Sequence, residues 1–222
     1  MDAFNDILMF LGSTICHQLA ERSYFHDGIQ MPLCARCIGI HFGFVLSASY
    51  LLLGPKRWAM KLPSMKQLAV LVSVMAFYFL DAGLSYSGIS QSDNLRRTLS
   101  GLALGVPLPF ILVSLLNMLA RPSPLSVGVL DRPTDWLALP VMYAVGLASI
   151  LLSQRIGPIF YLVSAIGVMG VFVFFTAALS AIMLIALEKR PMGNRYKIAA
   201  AGLLAIAVLM GLAALHRVLP TP

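Results

Sequence analysis

Long apolar stretches alternate with short polar segments along the whole chain. Six of these stretches approach the length of about 20 residues that crosses the hydrocarbon core of a bilayer as a helix. A membrane-spanning β-barrel would show short segments of alternating polarity, whereas these runs are continuous. The pattern therefore predicts an all-α, multi-pass transmembrane helical bundle that forms a single integral membrane domain over residues 1–222. The expected spans are about 38–53, 67–88, 99–119, 136–152, 159–187 and 198–215.

A shorter apolar segment, residues 4–19, precedes the first span. It is slightly too short to cross a bilayer. Asp2 and Asp6 accompany it without any basic residue, which is unlike the start of a secretory signal. We expect this segment to remain in the mature protein as a short membrane-associated helix, within an N-terminal Cys/His segment of residues 1–37.

Small residues and prolines predict how the spans pack. Gly39 and Gly43 in the first span, and Gly101 and Gly105 in the third, form small-x-x-x-small pairs that let helix backbones approach closely. We therefore expect these two spans to contact each other. Pro107, with a second proline two residues later, lacks a backbone donor and predicts a kink in the third span.

The composition is typical of a membrane protein and excludes a soluble one. Of the 222 residues, 59% are hydrophobic and only 11% are charged, and the mean hydropathy is +0.86. A soluble domain of this length needs far more charged surface. The formal net charge is +7, but the basic residues lie in short clusters between apolar runs. We therefore expect the lipid bilayer, and no nucleic acid, as a partner.

The basic residues also predict the orientation in the membrane. They fall unequally into alternating loops, and every lysine lies on the same side. Because cytoplasmic loops carry the excess of lysine and arginine, we expect the cysteine-containing segment on the extracytoplasmic side of the cell (inner) membrane. The richer side carries Lys56, Arg57, Lys61, Lys66, Arg121, Arg132, Lys189, Arg190, Arg195 and Lys197, and the poorer side carries Arg22, Arg36, Arg96, Arg97, Arg155 and Arg217.

Residues 16–41 contain all three cysteines and three of the four histidines of this apolar chain. Cys34 and Cys37 form a C-x-x-C pair at the start of the first span, and Cys16 lies upstream. Thiols outside the cytoplasm tend to be oxidised, and an odd number of cysteines favours thiolates that a metal protects. Zinc prefers sulfur and nitrogen ligands in a tetrahedron. The predicted cofactor is therefore zinc, bound by Cys16, Cys34 and Cys37 with His17 or His41 as the fourth ligand.

Two other interpretations of the cysteines stay open. Cys34 and Cys37 could cycle between dithiol and disulfide with Cys16 as a resolving thiol, which would make the protein a thiol-disulfide oxidoreductase. A plain disulfide could instead fasten the N-terminal segment to the first span.

A second group of polar residues begins inside the second span. Asp81 lies a few residues before the end of that span, where an unpaired carboxylate is costly, and intramembrane acids are functional candidates by default. Its nearest expected cations are Arg36 and Arg97. We regard Asp81, Asn94 and Arg97 as candidate catalytic residues. The alternative is a structural ion pair that joins two helix ends.

Two motifs in the first half of the chain resemble the signature of a known family. The first reads Cys-His-Gln from Cys16, Glu-Arg-Ser from Glu21 and Pro-Leu-Cys-Ala-Arg-Cys-Ile-Gly-Ile from Pro32, followed by Gly43. The second reads Asp-Ala-Gly from Asp81, followed by Ser92, Asn94, Arg97, Gly101 and Gly105. They resemble domain-of-unknown-function family 2085, which comprises small bacterial and archaeal integral membrane proteins. The resemblance implies membrane location and no particular activity. That family usually has an aromatic residue where this chain has His41, which favours His17 as the fourth ligand.

These residues lead to three functional hypotheses. The first is a metal site beside a polar pocket. With an open metal position it could hydrolyse an anionic substrate such as a lipid headgroup, with Asp81 as the base and Arg97 holding the substrate, whereas closed coordination would make the metal structural. The second is the thiol-disulfide redox protein. The third is a non-catalytic subunit of a larger complex, whose partners would be other membrane subunits.

Overall fold

The computed structural model describes residues 3–54, 56–120, 127–190 and 192–218. Apart from one short 3₁₀ turn and a two-stranded hairpin, the regular elements are α-helices. The helices are α1 (Ala3–Gly12), α2 (Ala35–Leu53), α3 (Met65–Tyr86), α4 (Asn94–Gly105), α5 (Leu108–Ala120), α6 (Pro133–Trp136), α7 (Ala138–Ser153), α8 (Gly157–Ala186) and α9 (Asn194–Val218). The hairpin strands are β1 (Phe25–His26) and β2 (Ile29–Gln30), which pair antiparallel.

Six helical segments of the described chain are long and apolar enough to cross a membrane, which confirms the predicted multi-pass bundle. They are α2, α3, the α4 and α5 pair, the α6 and α7 pair, α8 and α9. The third span begins at Asn94, five residues before its predicted start, because the Asp93 side chain accepts from the Arg96 amide and caps a polar first turn. Hydropathy alone does not detect such a turn.

The first half of the third span packs directly against α2. A Cβ added at Gly39 would lie 2.8 Å from the Thr98 carbonyl oxygen, and one added at Gly105 would overlap the Ile40 carbonyl oxygen. The predicted contact between the two glycine pairs is therefore confirmed. The third span is interrupted between α4 and α5, beside Pro107, where a break was expected. The close approach aligns the starts of α2 and α4 at the same end of the bundle.

A second close approach places α2 between α4 and α8. A Cβ at Gly170 in α8 would lie 2.5 Å from the His41 carbonyl oxygen. Ile38 in α2 and Phe160 in α8 are fully buried and belong to one hydrophobic core. By contrast, α3 buries few side chains apart from Leu71 and Asp81. Thus α2 is the central helix of the bundle, and α3 lies at its periphery.

The two ends of the bundle differ in their polar contacts. We call the end with the starts of α2 and α4 and the end of α3 the cysteine end. At the opposite end, Lys56 donates to the Asp135 carboxylate at 2.7 Å, and Asn117 donates to the Ala59 carbonyl at 2.9 Å. Asn194 there donates to the Ala120 carbonyl at 2.9 Å. Loops therefore meet at alternate ends, as the predicted spans require. Arg121 lies outside the described residues.

The N-terminal apolar segment forms the short helix that was expected, but α1 is confined to Ala3–Gly12. Residues 13–19 leave the helix and return the chain toward α2. Gly12 allows this return because a Cβ there would overlap the Pro32 carbonyl oxygen. The helix packs on α8, with the rings of Phe4 and Tyr161 6.2 Å apart.

Candidate metal centre and adjoining cavity

The thiols of Cys16, Cys34 and Cys37 converge at the cysteine end, and their sulfur atoms all lie within 4.8 Å of one another. We call these three residues the cysteine triad. All three are free thiols, with Cys16 buried and the other two partly buried. The predicted convergence of the three cysteines from two separate segments is present in the structure.

Helix geometry places two of the thiols together. Cys34 is the N-cap of α2 with extended backbone angles (φ −63°, ψ 161°), and Cys37 follows in the first turn. Residues three apart lie on the same side of a helix, so both sulfurs face the same region. The preceding residues Met31 and Leu33 are fully buried, which fixes the direction in which the chain enters α2.

Backbone amides and one glutamine hold the third thiol. The Cys16 sulfur accepts from the Cys34 amide at 3.2 Å and from the Gln18 amide at 3.4 Å. Gln18 has a positive φ of 53°, and its side chain donates to the Met9 carbonyl at 2.7 Å and the Pro32 carbonyl at 2.9 Å. Gln18 therefore joins α1, the loop with Cys16 and the entry to α2 in one polar cluster.

Hydrogen bonds among the three thiols favour ionisation of one of them, Cys34. The hydrogen bond from the Cys16 thiol, followed by that from Cys37, lowers the pKa of the Cys34 thiol. Conversely, the hydrogen bond to Cys34 raises the pKa of the Cys16 thiol above its ordinary value. A thiolate is the form of cysteine that binds metals and attacks disulfides. A thiolate at Cys34 would therefore suit either metal binding or attack on a disulfide.

The histidines occupy different positions around the triad. Among the described residues, the group of potential metal ligands within 4.8 Å contains only the three sulfurs. His17 lines the cavity that adjoins them. His41 lies one helical turn after Cys37, buried, with its ring 5.6 Å from that of Phe174. His26 donates through Nδ1 to the Gln154 carbonyl at 3.2 Å, which fastens the hairpin to the loop before α8.

The Asp81 carboxylate is fully buried and accepts from four side chains. Oδ1 accepts from Ser92 at 3.0 Å and is paired with Arg96 Nε at 2.7 Å. Oδ2 accepts from Arg36 at 2.6 Å and from Ser100 at 2.8 Å. Arg36 is one of the two expected partners, but the second cation is Arg96 in place of its neighbour Arg97. Since every position on the carboxylate is used, Asp81 orients Arg36 between the two cysteines.

Arg97 and Asn94 serve different purposes in the structure. Arg97 Nε donates to the Ser92 carbonyl at 2.8 Å, and its side chain lines the cavity. Asn94 is not among the residues that line the cavity. Its side chain donates to the Ser23 carbonyl at 3.2 Å, and its own carbonyl accepts from Tyr24 at 3.0 Å. Asn94 therefore fastens the N-terminal segment to α4.

A cavity of about 360 Å³ opens beside the triad. Its polar lining residues are His17, Gln18, the three cysteines, Arg22, Arg36 and Arg97. Its apolar and aromatic lining residues are Ile15, Leu19, Ile40, Tyr78 and Tyr86. This volume is within the range of small-ligand sites, and mixed linings of this kind are typical of them. From the sequence we expected a polar pocket formed by Asp81, Asn94 and Arg97. Of these three residues, Arg97 lines the cavity and the other two do not.

Several residues of this region were not identified as site residues from sequence. Gln18 holds the loop of Cys16 and lines the cavity, as Arg22 does, and Ser92 and Ser100 donate to Asp81. Gln18, Arg22 and Ser92 do belong to the two motifs, which was the available signal. Ser100 gave none, because a serine in a helix is ordinary without knowledge of what faces it.

Residues 16–111 match the family model described as Predicted membrane protein (DUF2085). The chain is similar to an uncharacterized protein of Methanocaldococcus jannaschii, with 31% identity over 101 residues, which are 46% of this chain and 63% of that protein. It is also similar to an uncharacterized protein of Methanothermobacter thermautotrophicus, with 30% identity over 94 residues, 42% of this chain and 80% of that protein. No solved structure matches. The matched residues include the triad, Asp81 and Arg97, whereas α6 to α9 lie outside them.

Proposed function

Because the chain belongs to the DUF2085 family of predicted membrane proteins, we propose that it is an integral membrane protein whose cysteine triad binds one zinc ion. The observation that carries the proposal is the approach of all three sulfurs to within 4.8 Å. Cys16 comes from a different segment than the C-x-x-C pair, so the chain must fold back to bring it there. Gln18 stabilises that return by hydrogen bonds to Met9 and Pro32.

The choice of zinc rests on the ligand set. Three thiolates with an imidazole nearby are ligands that zinc takes in a tetrahedral arrangement. His17 is the proposed fourth ligand, since it follows Cys16 in sequence and lines the cavity beside the triad. A closed site of four protein ligands would be structural, whereas three thiolates without His17 would leave a position toward the cavity.

An open position would make the site suited to hydrolysis of an anionic substrate. Bound zinc would supply Lewis acidity. Arg97 would bind the substrate's negative charge in the cavity. Asp81 and Asn94 would act by positioning: Asp81 holds Arg36 through a 2.6 Å ion pair, and Asn94 fastens the N-terminal segment to α4. The four donors around Asp81 make it a weak base and favour this role over proton abstraction.

Elemental analysis of the purified protein tests the zinc site. We expect one zinc per chain and thiols that react with a thiol reagent only after denaturation in chelator. Cys16→Ser, Cys34→Ser and Cys37→Ser should each reduce zinc content. His17→Ala should reduce it as well if His17 is the fourth ligand, and His26→Ala is the matched control because His26 contacts Gln154 and Phe160. Metal-free protein with one disulfide per chain would refute the proposal.

A second candidate function is thiol-disulfide exchange, which the lowered pKa of the Cys34 thiol favours. In that case Cys34 would attack a partner disulfide, and Cys37 or Cys16 would resolve the mixed disulfide. A variant that carries both Cys37→Ser and Cys16→Ser would then accumulate a mixed disulfide in cells. Full zinc occupancy without such an adduct would decide against this function.

We further propose that the cysteine end faces the extracytoplasmic side of the cell (inner) membrane. The loops at the opposite end carry Arg57, Lys61, Lys189 and Arg190, and cytoplasmic loops are enriched in such residues. Lys56 lies at the same end, where it pairs with Asp135. This orientation would expose the cavity to extracytoplasmic ligands or to the outer leaflet.

A further inference from the structure

We propose that the cavity beside the cysteine triad binds a phosphate group through Arg22, Arg36 and Arg97. The proposal rests on the part of the proposed function in which Arg97 binds an anion in this cavity, and it adds the chemical class of that anion and two further arginines. These arginines come from the N-terminal segment, α2 and α4, and all three line the same space of about 360 Å³.

Each of the three guanidinium groups retains donors that no described hydrogen bond uses. Arg36 is 6% exposed, donates to Asp81 through Nη2 and has a buried Nε without a hydrogen-bond partner among the described residues. Arg97 has one described hydrogen bond, from Nε to the Ser92 carbonyl. Arg22 pairs with Glu21 only at 3.5 Å, and that glutamate side chain is 67% exposed. A ligand in the cavity that accepts hydrogens from these guanidinium groups would add charge-assisted hydrogen bonds.

The charge of the cavity selects an anion. Three arginines line it, and none of the described lining residues is an aspartate or glutamate. Asp81 does not line the cavity, but it neutralises part of this charge through its pair with Arg36. Asp81 is also paired with Arg96, which is not a lining residue either. A zinc bound by three thiolates would carry one net negative charge, so it would not balance all the arginines. An anion with up to two charges would complete the balance.

The lining indicates which anion fits. The planar donor pairs of arginine match the oxygen pairs of phosphate, and three arginines from three segments could together bind a tetrahedral group. The lining also contains apolar and aromatic side chains, among them Ile15, Ile40, Tyr78 and Tyr86, and the Tyr86 ring lies 5.8 Å from the Arg36 guanidinium. A phosphate with an attached organic group would place its charge on the arginines and its carbon atoms against these side chains. Such a group could come from a lipid headgroup, and a free phosphate ion would share the same charged half of the site.

Calorimetric titration of the purified full-length protein, in a phosphate-free detergent and buffer, tests the proposal. One arm uses inorganic phosphate, and the other uses short-chain phosphatidic acid, with the corresponding diacylglycerol as the phosphate-free blank. We expect saturable phosphate binding in at least one arm. At least tenfold tighter binding of phosphatidic acid assigns the source to lipid, and equal affinities assign it to free phosphate.

Variants identify the residues that bind. Arg97→Gln and Arg22→Gln should each weaken binding about tenfold or more, as expected for the loss of a charge-assisted hydrogen bond. Arg155→Gln is the matched control, because Arg155 is exposed at the same end of the bundle and lies outside the cavity. Zinc content is measured on the same samples, so that loss of metal and loss of phosphate binding are distinguished. The proposal is overturned if neither ligand binds, or if both cavity variants bind phosphate as the wild type does.

Discussion

Arg36 donates to Asp81 at 2.6 Å, and this ion pair joins the segment between Cys34 and Cys37 to the end of α3. Both side chains are almost fully buried, with 6% and 0% exposure. Because α3 is otherwise peripheral, the pair is its main polar connection to the central helix. The position of the triad relative to the bundle therefore depends on a carboxylate 45 residues away in sequence.

Replacing Asp81 by Asn should strongly destabilise the protein. The change leaves Arg36 and Arg96 without their shared counter-charge, and an uncompensated buried charge typically costs about 3–5 kcal/mol. We expect a lower unfolding midpoint in a denaturant titration of the detergent-solubilised protein. Asp27→Asn is the control, since that side chain is 87% exposed. An unchanged midpoint for Asp81→Asn would show that the ion pair does not hold α3.

The glycine contact between α2 and α4 predicts a second stability effect. In Gly105→Ala, the new Cβ would meet the Ile40 backbone and force the helices apart. Such overpacking usually costs about 1–3 kcal/mol. Gly83→Ala in α3 is the matched control, because a Cβ there meets nothing within 4 Å. Thermal unfolding should separate the two variants, and equal melting temperatures would contradict the close packing.

Gln18 should control metal affinity without binding the metal. Gln18→Ala removes the side-chain hydrogen bonds to Met9 and Pro32 that hold the loop of Cys16, and changes of this kind around a metal site typically cost about 10–100-fold in affinity. Competition with a zinc chelator measures the effect. Gln91→Ala is the control, because Gln91 is exposed in the loop before α4. A Gln18→Ala affinity equal to that of the wild type would mean that the C-x-x-C pair positions Cys16 by itself.

The orientation proposal predicts which introduced cysteines react in whole cells. Asp27→Cys in the hairpin turn at the cysteine end should be labelled by a membrane-impermeant maleimide. Lys189→Cys, exposed at the opposite end, should be labelled only after the cells are opened. The wild-type chain gives the background from the native thiols. The reverse pattern would place the triad on the cytoplasmic side.

Local features of the sequence predicted the helices and part of the site. The spans follow from apolar length, which a bilayer requires of any crossing helix. The contact of α2 with α4 follows from the spacing of Gly39 and Gly105 with their partners, because only glycine permits such an approach. The pairing of Cys34 with Cys37 follows from one helical turn.

Long-range details could not be predicted from the same patterns. Asp81 pairs with Arg96 and not Arg97 because of the rotation of α4, which is determined by its contacts with α2. Neighbouring residues on a helix point in different directions. The glycines indicate which face of α4 lies against α2, but they do not indicate on which side of α4 the end of α3 lies. Gln18 reaches Pro32 because of a backbone with positive φ, an uncommon conformation for that residue type.

The Cys34 thiolate predicts how zinc binding depends on pH. The pKa of the Cys34 thiol is lowered by its hydrogen bonds from the other two thiols, so Cys34 is charged before the metal binds at neutral pH. That charge opposes ionisation of the neighbouring thiols, and the pKa of the Cys16 thiol is raised, so two protons remain to be displaced. Zinc affinity should therefore fall with decreasing pH between about pH 7 and 8, by about two log units per pH unit. Chelator competition across this range measures the slope, and proton release in a calorimeter gives the same count. Three protons released per zinc would show that no thiolate is stored in the free triad.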